Sequence, residues 1–318
     1  MTSVSVALGA HNGASYIEEQ LHSILGQQPP PFELILSDDA STDATVAIAE
    51  TVARGYPDTH LRLLRNPTAL GVTANFEQAM RATTGDVIAL SDQDDRWHPG
   101  RVATLLAVFD SNPDILVVAS DAALIDGDGA PLGQTLLGAI EVSSAERADI
   151  NSDSAFAALL RRNLLTGATM AVRREVLERA VPFPRSWVHD EWIAAIAASM
   201  GGIRLIDDQL IDYRQHGGNQ IGARRLSIID KLRRLREPRV ARNARLLARA
   251  EALAGRLEHE PFLTEARRKL VHEQHRSALP ASHLRRVAPV VGALRAGDYA
   301  RYGRGRADAV RDLVQPDR

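Results

Sequence analysis

The first ninety residues alternate short apolar runs with segments whose apolar residues recur at helical spacing, and this alternation constrains the fold class. Residues 4–8 (VSVAL) read as a buried strand ending in Gly9-Ala10-His11-Asn12-Gly13, a loop of turn residues. Ile17, Leu21, Ile24 and Leu25 then keep the helical period, and Ser15 with Glu18 has the spacing of a capping box. Residues 32–36 form a second strand that runs into Ser37-Asp38-Asp39-Ala40-Ser41-Thr42-Asp43. Ser41, Thr42 and Asp43 suit the cap of the next helix, whose apolar positions are Val46, Ile48, Ala49 and Val52. Residues 61–64 and 85–90 give a third and a fourth strand. Strands alternating with helices predict an α/β fold, a Rossmann-like and mainly parallel sheet with helices on both faces. Ligands of such sheets bind beyond the carboxyl ends of the strands. His11, Asn12, Asp38, Asp39 and Asp92 all fall there.

The fourth strand empties into Asp92-Gln93-Asp94-Asp95, three carboxylates in four residues. Carboxylates this close repel and need neutralising. A polar turn is one reading; a hard divalent cation, Mg²⁺ or Mn²⁺, bound through oxygen with positions left for phosphate is the other. Trp97 follows, with a flat apolar face suited either to core packing or to a sugar ring. Further on, Tyr213-Arg214-Gln215-His216 ends a strand-like run at 210–212 and leads into Gly217-Gly218-Asn219. An imidazole such as His216 can ligate a borderline cation, and Arg214 can pair with phosphate.

Seven segments resemble one known family: AHNGASYIEEQLHSIL, ILSDDASTDAT, NPTALGVTANFEQAM, GDVIALSDQDDRWHPGRV, TGATMAVRREVLE, HDEWIAAIAASMGG and DYRQHGGNQIG. Their order and spacing over roughly residues 3–222 are similar to family 2 glycosyltransferases with the GT-A fold, of the rhamnosyltransferase-like branch. The resemblance implies a nucleotide-sugar site. It places the loop of Ala10, His11 and Asn12 against the nucleotide, with Glu18 near it unless Glu18 only completes a helix cap. His11 stands where the family usually has an aromatic residue. Asp39 resembles the acid that binds base or ribose, Asn75 borders the nucleotide, and Phe76 reads as core. The acid cluster resembles the DxD element, with Asp92 in the ribose or metal region and Asp94 and Asp95 on the metal, joined by His216. Asp190, preceded by His189, aligns with the catalytic acid that would deprotonate the acceptor, and Glu191 is its nearest competitor. Gly167 and Ala168 resemble an acceptor-facing turn, and Glu191, Trp192 and Trp97 complete the acceptor side.

The implied reaction is inverting, metal-dependent transfer of a sugar from a dTDP- or UDP-linked donor to a glycan, lipid-linked or small-molecule acceptor. Two other classes fit parts of the pattern. A nucleotidyltransferase acting on sugar phosphates also uses acid pairs and Mg²⁺, but would be expected to carry a basic phosphate loop, and AHNGAS has no basic residue. A non-catalytic sugar-binding or scaffold protein would keep the fold, and the presence of Asp39, Asp94 and Asp190 argues against it.

The charge divides the chain. Residues 1–223 carry 15 Lys+Arg against 29 Asp+Glu, a balance of −14, and residues 224–318 carry 23 against 11, a balance of +12. We expect a transferase domain at 1–222 and a basic helical region at 223–318. In the latter Ile228, Ile229, Leu232 and Leu235 share a face, as do Leu246, Leu247, Ala250, Leu253 and Leu257, and Pro238, Pro261, Pro280 and Pro289 punctuate the helices. That region suits packing or homo-oligomerisation, or peripheral contact with an anionic membrane; no nucleic-acid module is visible. No apolar run approaches the length of a membrane span. The start lacks a basic leader pattern and there is no cysteine. Both fit a cytoplasmic enzyme, soluble or at the inner face of the membrane.

Overall fold

The computed structural model describes residues 2–57, 59–217 and 237–317. They form two compact units, one of 1–153 with 164–224 and one of 154–163 with 225–318. The short excursion at 154–163, a helix, is not visible in the charge pattern. The expected face of Ile228, Ile229, Leu232 and Leu235 and the Gly218-Asn219 loop lie outside the described residues.

The first unit is built on a sheet of nine strands in the order β3-β2-β1-β4-β8-β6-β9-β5, with β7 paired to β6. β1 (Val4–Ala10), β2 (Glu33–Asp38), β3 (His60–Arg65) and β4 (Val87–Asp92) run parallel. Their connections are α1 (Ile17–Leu25), α2 (Thr45–Ala53) and α3 (Val72–Ala82). Alternate residues of β1 go to opposite faces, as the two-residue period requires. Val4, Val6 and Leu8 join Ile17, Leu21 and Ile24 of α1 and Ala49 of α2 in one core. On the other face Gly9 lies against Phe76 of α3, where an added Cβ would stand 3.0 Å from the ring.

The second half of the sheet is mixed. It comprises β5 (Arg96–Trp97), β6 (Ile115–Ile125), β7 (Pro131–Thr135), β8 (Met170–Arg173) and β9 (Gly202–Arg214), with β8 antiparallel to both β4 and β6. Helices α4 (Arg101–Ser111), α5 (Leu136–Ala139), α6 (Ser144–Ile150), α8 (Arg174–Ala180) and α9 (His189–Met200) complete the unit.

Register positions the site. Gly9 pairs with both Ser37 and Asp92, and Ala10 with Asp38. The ends of β1, β2 and β4 are therefore level, and the loops after them emerge side by side. The capping box expected at the start of α1 is absent: Tyr16 is the N-cap and no side chain caps it, because Gly13 O takes the Tyr16 and Ile17 N–H groups. None of Ser41, Thr42 and Asp43 is the N-cap of α2, which is Ala44 without a side-chain cap; Asp43, one residue earlier, accepts from the Thr45 N–H at 3.0 Å.

The second unit is helical: α7 (Ala155–Arg161), α10 (Arg239–Arg256), α11 (Phe262–Ser277), α12 (His283–Ala296), α13 (Asp298–Tyr302) and α14 (Arg306–Val314). Pro238 and Pro261 stand at helix starts as expected, but Pro289 lies inside α12. The small apolar core of Leu279, Val290, Ala293, Tyr299 and Ala309 is supplemented by buried charge. Asp312 accepts from Arg276 at 2.7 Å, from the Tyr299 hydroxyl at 2.9 Å and from Arg242. Glu273 accepts from Lys269 at 2.7 Å and from Arg276 at 3.1 Å. Buried ions persist only when paired in this way.

Candidate active site

The loops after β1, β2 and β4 are tied to one another by side chains. Gln93 accepts from the His11 N–H at 2.8 Å and donates to His11 O at 3.0 Å. Glycine at position 13 leaves room for this arrangement, since a Cβ there would lie 2.1 Å from Gln93 Oε1 and displace that side chain. His11 Nδ1 lies 2.7 Å from Asp39 O, so this nitrogen carries the proton, and Nε2 accepts from the Asn12 amide at 3.1 Å. Asn12, at a φ of 50°, accepts from the Thr42 N–H at 2.9 Å. Asn is one of the few residues that adopts this left-handed backbone readily.

Negative charge is concentrated at the end of β4. Burial, then Asp94 and Asp190, push the Asp92 carboxyl up to about 8. Burial, then Asp94 and Asp92, raise Asp95 well above the usual carboxylate range. Asp95 Oδ1 accepts from the Arg214 N–H at 3.0 Å, and Asp95 Oδ2 is buried without a hydrogen-bond partner. Asp94 Oδ2 lies 2.8 Å from His216 Nε2. Arg101, a fully buried cation whose charge acts on Asp95, is pushed down to about 9 by burial. Among the described residues no three potential ligands converge as a finished metal cage. An overcharged carboxylate cluster with one orphaned oxygen and an aspartate–histidine pair nevertheless has the donor chemistry for a cation that takes its remaining ligands from phosphate and water.

Asp190 sits in the first turn of α9 and is buried. Its Oδ2 accepts from the Gly167 N–H at 3.0 Å, and its Oδ1 accepts from the Glu191 N–H at 2.6 Å. Gly167 and Ala168 form a buried 3₁₀ turn, Gly167–Thr169, beside it. A Cβ on Gly167 would lie 3.0 Å from His189 Nε2 and 3.3 Å from Asp190 Cβ, which explains the glycine.

The sequence model described as Glycosyl transferase family 2 matches residues 5–179, more than half of the chain. The chain belongs to glycosyl transferase family 2. An uncharacterized glycosyltransferase of Nostoc sp. is 28% identical over 223 residues, 68% of this chain and 66% of that protein. The chain thus spans less than two thirds of that relative. Two solved structures share the fold. Mannosyltransferase PcManGT from Pyrobaculum calidifontis, in complex with GDP-Man and Mn²⁺, matches with a TM-score of 0.55 at 22% identity, over 97% of this chain and 78% of that one. S. aureus TarS 1-349 in complex with UDP-GlcNAc matches with a TM-score of 0.56 at 19% identity, over 97% and 89%. The family 2 fold here is GT-A, with a helical region following it.

At this candidate site several of the expected residues are engaged by the protein itself. Arg214 is buried and engaged with protein: it donates to Asp94 O at 2.8 Å and to Glu19 Oε2 at 2.6 Å, and it lies over the Tyr16 ring. It ties the acid loop to α1. Asp39 accepts from the N–H groups of Leu70 at 2.6 Å and Gly71 at 2.9 Å, so it anchors the loop before α3. Asn75 is buried between Ser37 and Asn66, bonded at 2.6 and 3.1 Å, and serves the scaffold. Glu18 is exposed on α1; its neighbour Glu19 makes the contacts. Trp97 is core, with the Arg101 guanidinium 4.0 Å from its ring centre, and Trp192 is fully buried and donates to Ala180 O at 2.8 Å. Neither ring is available to a sugar. Gln93, Glu19, Arg101 and His189 are the residues sequence reading missed. For Gln93 the signal was its place inside the acid cluster, and for His189 its place beside Asp190; Glu19 and Arg101 gave none.

Proposed function

We propose that this family 2 protein moves a sugar from a nucleotide-sugar donor to a hydroxyl acceptor with inversion. The observation that carries the proposal is the grouping at one sheet edge of the Asp94–His216 pair, the carboxyls of Asp92 and Asp95 raised by burial and then by their acidic neighbours, and the backbone-oriented Asp190. Asp190 takes the proton of the acceptor hydroxyl, and the acceptor oxygen bonds to the anomeric carbon as the bond to the nucleoside diphosphate breaks. Asp94 and His216, with Asp95, would hold Mg²⁺ or Mn²⁺, which supplies Lewis-acid neutralisation of the leaving diphosphate. His11 and Asn12 present polar groups at the nucleotide side. Among donors, dTDP-rhamnose is the first to test and UDP-sugars the second. The acceptor is a glycan, a lipid-linked glycan or a small molecule.

Incubation with a panel of nucleotide sugars and Mg²⁺ or Mn²⁺ tests the reading. Acceptor-dependent release of nucleoside diphosphate supports it. Pyrophosphate chemistry would point to nucleotidyl transfer, and no reaction with any donor to a binding protein.

A further inference from the structure

α12 is amphipathic on two sides. Arg286, Val290 and Ala293 face inward and are buried. On a second side, adjoining the buried one, Leu284, Val287, Val291 and Leu294 recur at i, i+3, i+7 and i+10, so they form one stripe along the helix. Leu284 is 85% exposed and Val287 47%. α14 repeats the arrangement: Ala309 and Asp312 are buried, whereas Ala307, Val310 and Val314 stand outward at i, i+3 and i+7, the two valines 48% and 49% exposed.

The two helices are neighbours. Arg286 of α12 donates to Asp312 O at 3.2 Å and to Gln315 O at 2.7 Å at the end of α14. The start of α10 meets the same place, since the Arg239 N–H donates to Pro316 O at 2.9 Å, and Val240 beside it is exposed. Single exposed aliphatic residues are ordinary on a soluble protein. Two periodic stripes on adjoining helices are not, and the described residues of this unit leave Leu284, Val287, Leu294, Val310 and Val314 exposed.

We propose that this face of the helical unit, α12 with α14, docks on an anionic lipid surface. Charge selects the partner. α12 carries Arg285 and Arg295, both exposed, and no carboxylate, and Arg304 and Arg306 are exposed at the start of α14. A second copy is the poorer occupant. Two-fold pairing of α12 with itself brings arginine-flanked stripes together with no acid on the helix to answer them. On lipid the aliphatic residues enter the headgroup boundary while the arginine stems lie along it with their charge at the phosphates. The stripe has no Trp or Phe, so the aliphatic contribution is shallow, and binding depends on anionic lipid.

Co-sedimentation of the full chain with phosphatidylcholine vesicles, with and without phosphatidylglycerol, tests this. Binding is expected only with phosphatidylglycerol, and is expected to fall between about 0.05 M and about 0.5 M salt as screening shortens. The double variant Leu284→Asp, Val287→Asp alters exposed side chains only, so its circular dichroism and activity in solution should match wild type while vesicle binding drops at least about tenfold. Arg285→Gln with Arg295→Gln should lose about fivefold per arginine. Wild-type protein that ignores phosphatidylglycerol vesicles overturns the proposal, as does a double variant that binds them normally. A wild-type dimer that the double variant dissociates, with no vesicle binding, also overturns it and makes the face an interface between copies.

Discussion

His189 occupies an unfavourable position. It is 5% exposed, both ring nitrogens lack hydrogen-bond partners, and its ring stacks on Phe76 with centroids 3.9 Å apart. Burial holds its imidazole below its ordinary range, so it is neutral. A buried polar group without partners costs on the order of 1–3 kcal/mol. His189→Phe keeps the stacking and removes both nitrogens. It is expected to stabilise the protein by about 1 kcal/mol in urea denaturation. A destabilised variant would mean that the nitrogens are satisfied in solution, by water for instance. Residues that break a local rule in this way cluster at functional sites, and His189 adjoins Asp190.

At the scale of elements, the strand ends were legible because two signals coincide there. Apolar runs with β-branched residues mark β1, β2 and β4, and the polar residues that follow them have no place in a core. Side-chain partners were not legible. Glu18 and Glu19 differ by one helical step of about 100°, which decides which carboxylate reaches Arg214. Asp39 and Asn75 have the right chemistry for a nucleotide, but Asp39 is turned to the N–H groups of Leu70 and Gly71 and Asn75 to Ser37 and Asn66, and spacing carries no information on that choice. Trp97 reads equally well as core or as platform until Arg101 is seen over its ring. The Arg214 contacts lead to a prediction. Its guanidinium joins the end of β9, the acid loop and α1 through Glu19, a fork geometry that lysine cannot reproduce. Arg214→Lys should leave the fold intact and weaken divalent-cation affinity about 10–100-fold, the usual cost of losing a partner behind the ligands. Titration of metal binding by calorimetry checks this, and unchanged affinity would remove Arg214 from the role.

At the scale of the whole molecule, the helical unit holds a network of buried ion pairs, and its acid response follows. His272 is buried among Tyr299, Tyr302 and the charged residues of α11, with both ring nitrogens unpartnered. Burial pushes its imidazole down to about 4; Glu273 opposes this, and Arg276 and Lys269 add to it. The unfolded chain takes up this proton near 6.5, so stability is full above that pH and declines as pH falls from about 6.5 to about 4, by up to about 3 kcal/mol. His272→Phe should flatten this part of the pH profile in chemical denaturation. An unchanged slope would place the proton elsewhere. The charge division was legible from composition; the outward stripes on α12 and α14 were not, because periodicity alone does not say which of two apolar faces the fold buries. Among the described residues no helix is long and apolar enough to cross a membrane, so the vesicle contact inferred above is one of surface.

The central claim is that Asp190 is the base of a sugar transfer carried out beside the acid cluster. The most direct measurement is nucleoside diphosphate release by Asp190→Asn under saturating donor and Mn²⁺, with donor affinity measured in parallel. The account predicts donor binding within a few-fold of wild type and turnover reduced by about 10²–10⁴. Turnover near wild type in Asp190→Asn, with Glu191→Gln inactive, would contradict it and move the base by one residue.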